Sequence, residues 1–141
     1  MTLYLDTSAV VSLLAAEPNS KRLAAWLRDN EAAGLAISPW VDTEVASALS
    51  QKVRMGQLSS EQRAAAGIEW QRLRTGSLVL LPIGDDAFET AASFAARHDL
   101  NLRAGDALHL AVAAAHGCTL VVLDRKLAKA AAKLGVPVAA I

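Results

Sequence analysis

Residues 119–124 read Thr-Leu-Val-Val-Leu-Asp, and residues 2–6 read Thr-Leu-Tyr-Leu-Asp. Each is a short apolar run broken by an aspartate and followed by a segment of helical composition. A run without polar alternation suits a strand covered on both faces, the habit of parallel strands in α/β sheets. Residues 2–5 and 119–123 are therefore expected as strands, ended by Asp6 and Asp124.

Working outward, residues 8–16 read as a first helix closed by Glu17-Pro18. Asn19-Ser20 can cap a second, running to about Ala33 and stopped by Gly34. Leu35-Ala36-Ile37 follows as a strand. Ser38 as N-cap and Pro39 at the first helical position open a third helix, to about Met55 before Gly56. Ser59-Ser60-Glu61-Gln62 carries a capping box and opens a fourth, ending near Gly76. Residues 78–83 form a strand made edge-like by Pro82. Helices are expected from Asp85-Asp86 to about His98, over 103–116 and over 125–134. Residues 136–141 close the pattern as a last short strand. Alternating strands and helices imply α/β architecture: a parallel sheet with helices on both faces, in a single domain over 1–141.

Bulk composition agrees. The chain has 141 residues, 53% hydrophobic but only 4% aromatic, so Ala, Leu and Val must fill its core. Acidic and basic residues balance at 14 each. Any nucleic-acid site must then arise from local placement of charge, not from the total. The lone cysteine, Cys118, forms no internal disulfide and fits a reducing compartment. The amino terminus lacks the pattern of a signal peptide, and no apolar run reaches the roughly 20 residues that span a bilayer. A cytoplasmic, membrane-free protein is expected.

Four acids stand out. Asp6 and Asp124 each end a strand, at the sheet edge where open α/β folds bind ligands; each also suits a plain helix N-cap. Glu44 lies on the flank of a helical stripe with Val41 and Ala48, at about 100° per residue. Asp42 flanks the other side of that stripe as an ordinary surface acid. Asp106 opens a nearly apolar helix with Leu102, Leu110 and Ala113 on its face. Buried acids are rare unless paired or metal-bound. Carboxylates at ~5 Å repel by roughly 3 kcal/mol per pair at an effective dielectric of about 20, so their assembly demands a counter-charge. An all-oxygen set suits Mg²⁺ or Mn²⁺, which activate water and stabilise charge on a phosphodiester. Arg103 and Arg125, close in sequence to Asp106 and Asp124, are candidate contacts for substrate phosphates, or solvated helix-end charges. His109 has no ligand pattern with His98 or His116 and reads as a core residue. Trp26, Trp40 and Trp70 read as packing anchors.

With these residues in place, the chain resembles the PIN domain, and within it the VapC-like toxin nucleases of bacterial toxin–antitoxin pairs. Leu3-Tyr4-Leu5-Asp6-Thr7-Ser8-Ala9 resembles the first motif. Glu44 in Val41-Asp42-Thr43-Glu44-Val45 resembles the second acid. Arg103-Ala104-Gly105-Asp106-Ala107-Leu108-His109 resembles the third motif, and Leu120-Val121-Val122-Leu123-Asp124-Arg125-Lys126-Leu127 the fourth. The resemblance implies a three-layer fold with a five-stranded parallel sheet. It implies a catalytic Mg²⁺ or Mn²⁺ site of Asp6, Glu44, Asp106 and Asp124, supported by Ser8. It also implies endonucleolytic cleavage of RNA, a homodimer and inhibition by a small antitoxin protein. The chain departs from the family at Val122, where Thr or Ser is usual, so Asp124 is expected to bind a second metal or position water.

Other readings were a catalytically silent RNA- or protein-binding module, an aspartate-dependent phosphatase and a phospho-receiver. The phosphatase wants a second Asp where Ser8 stands. The receiver wants paired acids after the first strand and a Lys ending a late strand, which Val136–Ile141 lacks.

Overall fold

A computed structural model describes all residues, 1–141. Four strands, β1 (Thr2–Leu5), β2 (Gly34–Ile37), β3 (Leu78–Leu80) and β4 (Thr119–Val121), form one parallel sheet in the order β3-β2-β1-β4. Helices α1 (Thr7–Leu14), α2 (Ser20–Asp29), α3 (Pro39–Arg54) and α4 (Ser60–Gly76) fill the first two crossovers. Helices α5 (Asp85–Ala96) and α6 (Ala104–Ala115) fill the third, and α7 (Arg125–Lys133) follows β4.

The chain steps outward from β1 to β2 to β3, then returns past β1 to place β4 on its other side. α1 packs against α2, α3 and α4, and α5 against α6, the division that right-handed crossovers in opposite directions produce. The reversal makes the space between the carboxyl ends of β1 and β4 the switch point of the fold, where such sheets open a crevice. β1 and β4 are the most enclosed strands: Leu3, Tyr4, Leu5, Leu120 and Val121 are all buried. They join Val41 and Val45 of α3 and Leu110 and Val112 of α6 in one apolar cluster. Every residue of α6 from Ala107 to Ala113 is buried, as its apolar composition requires.

The local signals act as their chemistry dictates. Ser59 Oγ accepts from the Gln62 N–H while the Gln62 side chain accepts from the Ser59 N–H, completing the capping box of α4. Pro39 occupies the first turn of α3. Gly56 and Gly135, just past α3 and α7, take φ values of 72° and 74°, where a Cβ would be strained.

The structure corrects several expectations. The sheet has four strands, not five, because residues 136–141 make only an isolated bridge between Leu120 and Val138. Pro137 has no N–H to extend that ladder. β3 ends at Leu80, ahead of Pro82, and β4 at Val121, where the Leu123 N–H turns to Ser8 Oγ at 3.4 Å. The helix expected to reach His98 stops at Ala96 and gives way to a 3₁₀ turn, His98–Leu100. Ser38 holds the N-cap position of α3 without a side-chain cap bond; its hydroxyl meets that of Tyr4 instead, at 2.8 Å. Asn19 likewise makes no cap bond.

Ser59→Ala removes half of the capping box and should cost about 1 kcal/mol. For a domain of this size the melting temperature should fall by about 3–4 °C. An unchanged melt would mean that α4 is held by packing alone.

Candidate active site

Asp6 is the residue that turns β1 into α1. Its backbone N–H donates to the Val121 carbonyl at 3.2 Å, continuing the β1–β4 ladder by one bond. Its Oδ1 accepts from the Ala9 N–H at 3.1 Å, as the N-cap of α1, and from Ser8 Oγ at 2.8 Å. Ser8 Oγ also receives the Leu123 N–H, so one hydroxyl ties the ends of both strands together. Asp6 is only 4% exposed. Burial pushes its carboxyl up to about 6, against the pull of the His109 imidazole, the Ser8 hydroxyl and the Ala9 N–H; the nearby Asp106 carboxylate pushes it further up.

Glu44, one turn into α3, reaches across to the end of β1. Its Oε1 accepts from Thr7 Oγ1 at 2.6 Å and from His109 Nε2 at 2.5 Å. Burial raises this carboxyl, but the hydrogen bonds from His109 and Thr7, with the imidazole's charge, outweigh it and hold it below its ordinary value. His109 is itself buried on α6, and its Nδ1 meets the Tyr4 hydroxyl at 2.8 Å. Burial drives the Tyr4 hydroxyl far above its usual range, so it stays a neutral phenol. The neighbouring acid Asp42 does something else: it accepts from Trp70 Nε1 at 2.8 Å and pairs with Arg74 at 3.5 Å. Those partners account for Asp42 as a packing residue between α3 and α4.

Asp106 and Asp124 meet in a cleft of about 310 Å³ lined by Asn101, Leu102, Arg103, Asp106, Asp124, Lys126 and Leu127. Asp124 caps α7, with Oδ1 accepting from the Lys126 N–H at 2.8 Å. Asp106 is half-buried. Burial raises its carboxyl, the His109 imidazole and Arg103 lower it, and Asp124 and Glu44 raise it. Arg103 lines the cleft; Arg125 is exposed and is not among its lining residues, whereas Lys126 is.

The four acids are thus coupled electrostatically around one end of the sheet. Asp6, Asp106 and Asp124 form no salt bridge. Their chemistry fits a hard divalent cation: oxygen donors only, two with carboxyls raised by burial and mutual repulsion. In the arrangement observed, no group of three or more His, Cys, Asp or Glu side chains is placed to hold a metal ion.

Two residues of this site were not expected in it. Thr7 and His109 fix Glu44, and only the fold brings them together. The one available signal for His109 was its position three residues after Asp106, on the same helical face.

A family model of the PIN domain matches residues 3–133. No curated protein matches the chain. Among solved structures, VapC20 of Mycobacterium tuberculosis, a sarcin–ricin loop cleaving toxin, superposes with a TM-score of 0.71 at 19% identity. That match covers 91% of this chain and 94% of the other. FitAcB from Neisseria gonorrhoeae gives 0.65 at 21% identity, covering 96% and 95%. VapBC2 from Rickettsia felis, bound to a DNA fragment from its promoter, gives 0.64 at 18% identity, covering 92% of each chain. At these identities the likeness is one of fold.

The raised carboxyl of Asp6 has a consequence for stability. Its folded value, about 6, lies above its ordinary 3.8. Protonation therefore favours the fold: the stabilisation is complete below about 4 and lost as pH rises through 6. Asp6→Asn should make the metal-free protein more stable than wild type at pH 7.5, by about 2–3 kcal/mol. The gap should close on acidification to pH 4. Urea denaturation of both proteins across this range measures it; a variant less stable than wild type at pH 7.5 would overturn the assignment.

Proposed function

The chain belongs to the PIN-domain family, and on that premise we propose that it is a divalent-metal-dependent endoribonuclease, the toxin of a toxin–antitoxin pair. The observation that carries this reading is the coupled set of Asp6, Glu44, Asp106 and Asp124 at the switch point, with no lysine or arginine paired to any of them. VapC20 is a sarcin–ricin loop cleaving toxin, which supports RNA as the substrate class. A further similar structure is a toxin–antitoxin complex from Klebsiella pneumoniae, which supports a small antitoxin as partner. The homodimer and the cytoplasmic location follow from the family resemblance; no helix is long and apolar enough to cross a membrane.

A Mg²⁺ or Mn²⁺ ion held by Asp6, Glu44, Asp106 and Asp124 would supply the positive charge that acidifies water and stabilises a scissile phosphodiester. The residues around it divide the remaining work. Asp6 is immobilised by Ser8 and the α1 N-terminus and gives the site its fixed point. Glu44, kept ionised by His109 and Thr7, offers a charged oxygen to a cation. Asp106 and Asp124 line the cleft together with the basic side chains of Arg103 and Lys126. Those two cations suit phosphates flanking the scissile one. Arg125, one helical step away, suits a phosphate farther along the strand.

Asp6→Asn and Asp106→Asn should each depress Mg²⁺-dependent cleavage of RNA by more than about 100-fold, beyond the usual cost of losing an outer-shell partner. Circular dichroism should show the fold intact. Asp42→Asn should cleave at close to the wild-type rate. Full activity in either site variant sinks the four-acid reading, and a dead Asp42→Asn beside an active Glu44→Gln would show that the wrong acid of α3 was chosen.

Expression of the wild-type chain alone should arrest bacterial growth, and Asp6→Asn should relieve the arrest. Normal growth with abundant folded wild-type protein would remove the toxin role while leaving the nuclease one standing.

A further inference from the structure

Four polar side chains from three elements form a continuous chain: Ser38 at the N-cap of α3 and Glu44 within it, Tyr4 of β1 and His109 of α6. The links are Ser38 Oγ to Tyr4 Oη at 2.8 Å, Tyr4 Oη to His109 Nδ1 at 2.8 Å, and His109 Nε2 to Glu44 Oε1. Ser38, Tyr4 and His109 are almost wholly excluded from solvent.

One proton in this chain has a forced place. An ionised carboxylate only accepts, so His109 Nε2 must carry the proton that faces Glu44. The other ring nitrogen, Nδ1, meets the Tyr4 hydroxyl, which in turn meets that of Ser38. A buried imidazole needs partners wherever it sits, and Tyr4 alone would satisfy one nitrogen. The other nitrogen goes to an acid of the candidate site.

Glu44 Oε1 is therefore taken up by two donors, Thr7 and His109. Its second oxygen, Oε2, lies on the side of Gly105. A Cβ at position 105 would stand 3.0 Å from Oε2 and 3.2 Å from Trp40 Nε1. Glycine at 105 keeps that oxygen uncrowded, and the residue after it is Asp106. We propose that His109, backed by Tyr4 and Ser38, is a positioning residue that locks Glu44 into a one-oxygen donor, presenting Oε2 to the divalent cation. This inference rests on the metal-nuclease reading and adds to it a tether that fixes the orientation of one ligand.

The test uses the full chain and Mn²⁺ alone, titrated by calorimetry at fixed pH. His109→Leu keeps bulk and removes both ring nitrogens; it should bind Mn²⁺ about 10–100-fold more weakly, the usual cost of losing an orienting partner. His109→Gln returns an amide donor toward Glu44 and should recover most of that loss. Tyr4→Phe, a milder change, should weaken binding several-fold. In a Glu44→Ala background His109→Leu should have no further effect, because two residues acting through one contact are not additive. Wild-type affinity in a folded His109→Leu overturns the proposal, and so does an undiminished further loss in the Glu44→Ala background.

A metal-free readout separates this from failure of the underlying reading. The His109 Nε2 proton should be visible by nuclear magnetic resonance in wild type and lost to exchange in Glu44→Ala. Its persistence in Glu44→Ala overturns the tether even if Mn²⁺ binds. Conversely, a wild-type chain that takes up no Mn²⁺ overturns the metal reading, and with it the role of Oε2, whatever the proton shows.

Discussion

The parallel pairing of β1 with β4 is the constraint on which the site depends. These strands stand at opposite ends of the sequence, and their register sets Leu5 beside Val121. One further bond, from the Asp6 N–H to the Val121 carbonyl, carries the alignment past the last paired residues. Ser8 then holds both Asp6 and the Leu123 N–H. Two strand ends are thereby fixed side by side at the point where the crossovers diverge. α1 leaves from one and α7 from the other, so their N-caps, Asp6 and Asp124, stand at the same edge of the sheet. α6 enters the site because it must return the chain to β4, and it brings Asp106 and His109 on one face.

Gathering acids at such a point opposes folding, and the fold meets the repulsion by grading their surroundings. Asp6 is sealed in and compensated by an N-terminal helix turn and a hydroxyl. Glu44 is half-open and held ionised by two donors. Asp106 is half-buried without such donors, and its carboxyl is raised. Neighbouring carboxyls pushed in opposite directions are what acid–base and metal chemistry at one site require. The Asp42–Trp70 and Asp42–Arg74 contacts show the contrast: an acid on the same helix, with its own cation and donor, is left with structural work only.

Much of this was legible in the sequence because it is local. Apolar runs ended by aspartate gave β1 and β4; the capping box, Pro39 and the glycines after α3 and α7 marked helix limits that the structure keeps within a residue or two. Placing Glu44 on the flank of the α3 stripe needed only helical geometry. What escaped was tertiary. Nothing near Ser38 says that its hydroxyl faces Tyr4 and not the helix it precedes. Nothing near His109 names Glu44, 65 positions away. Arg125 drew attention as the first cation after Asp124, but the next residue, turned about 100° around the helix, lines the cleft. The fifth strand was expected from hydrophobicity, and Pro137 cuts it to one bridge.

Helix cap and site residue looked like competing roles for these acids, and the geometry makes them compatible. A carboxylate has two oxygens, and a cap occupies one. Asp6 commits Oδ1 to the Ala9 N–H and Ser8. Asp124 commits Oδ1 to the Lys126 N–H. Glu44, inside a helix rather than at its start, commits Oε1 to Thr7 and His109. In all three, one oxygen is anchored by the protein and the other makes no hydrogen bond to it. Anchoring also removes rotamer freedom that binding would otherwise have to restrict. An acid used first as a cap is therefore already oriented as a donor. A strand-to-helix turn ended by aspartate is an economical place to build a cation site for the same reason: the bond that starts the helix also aims the ligand.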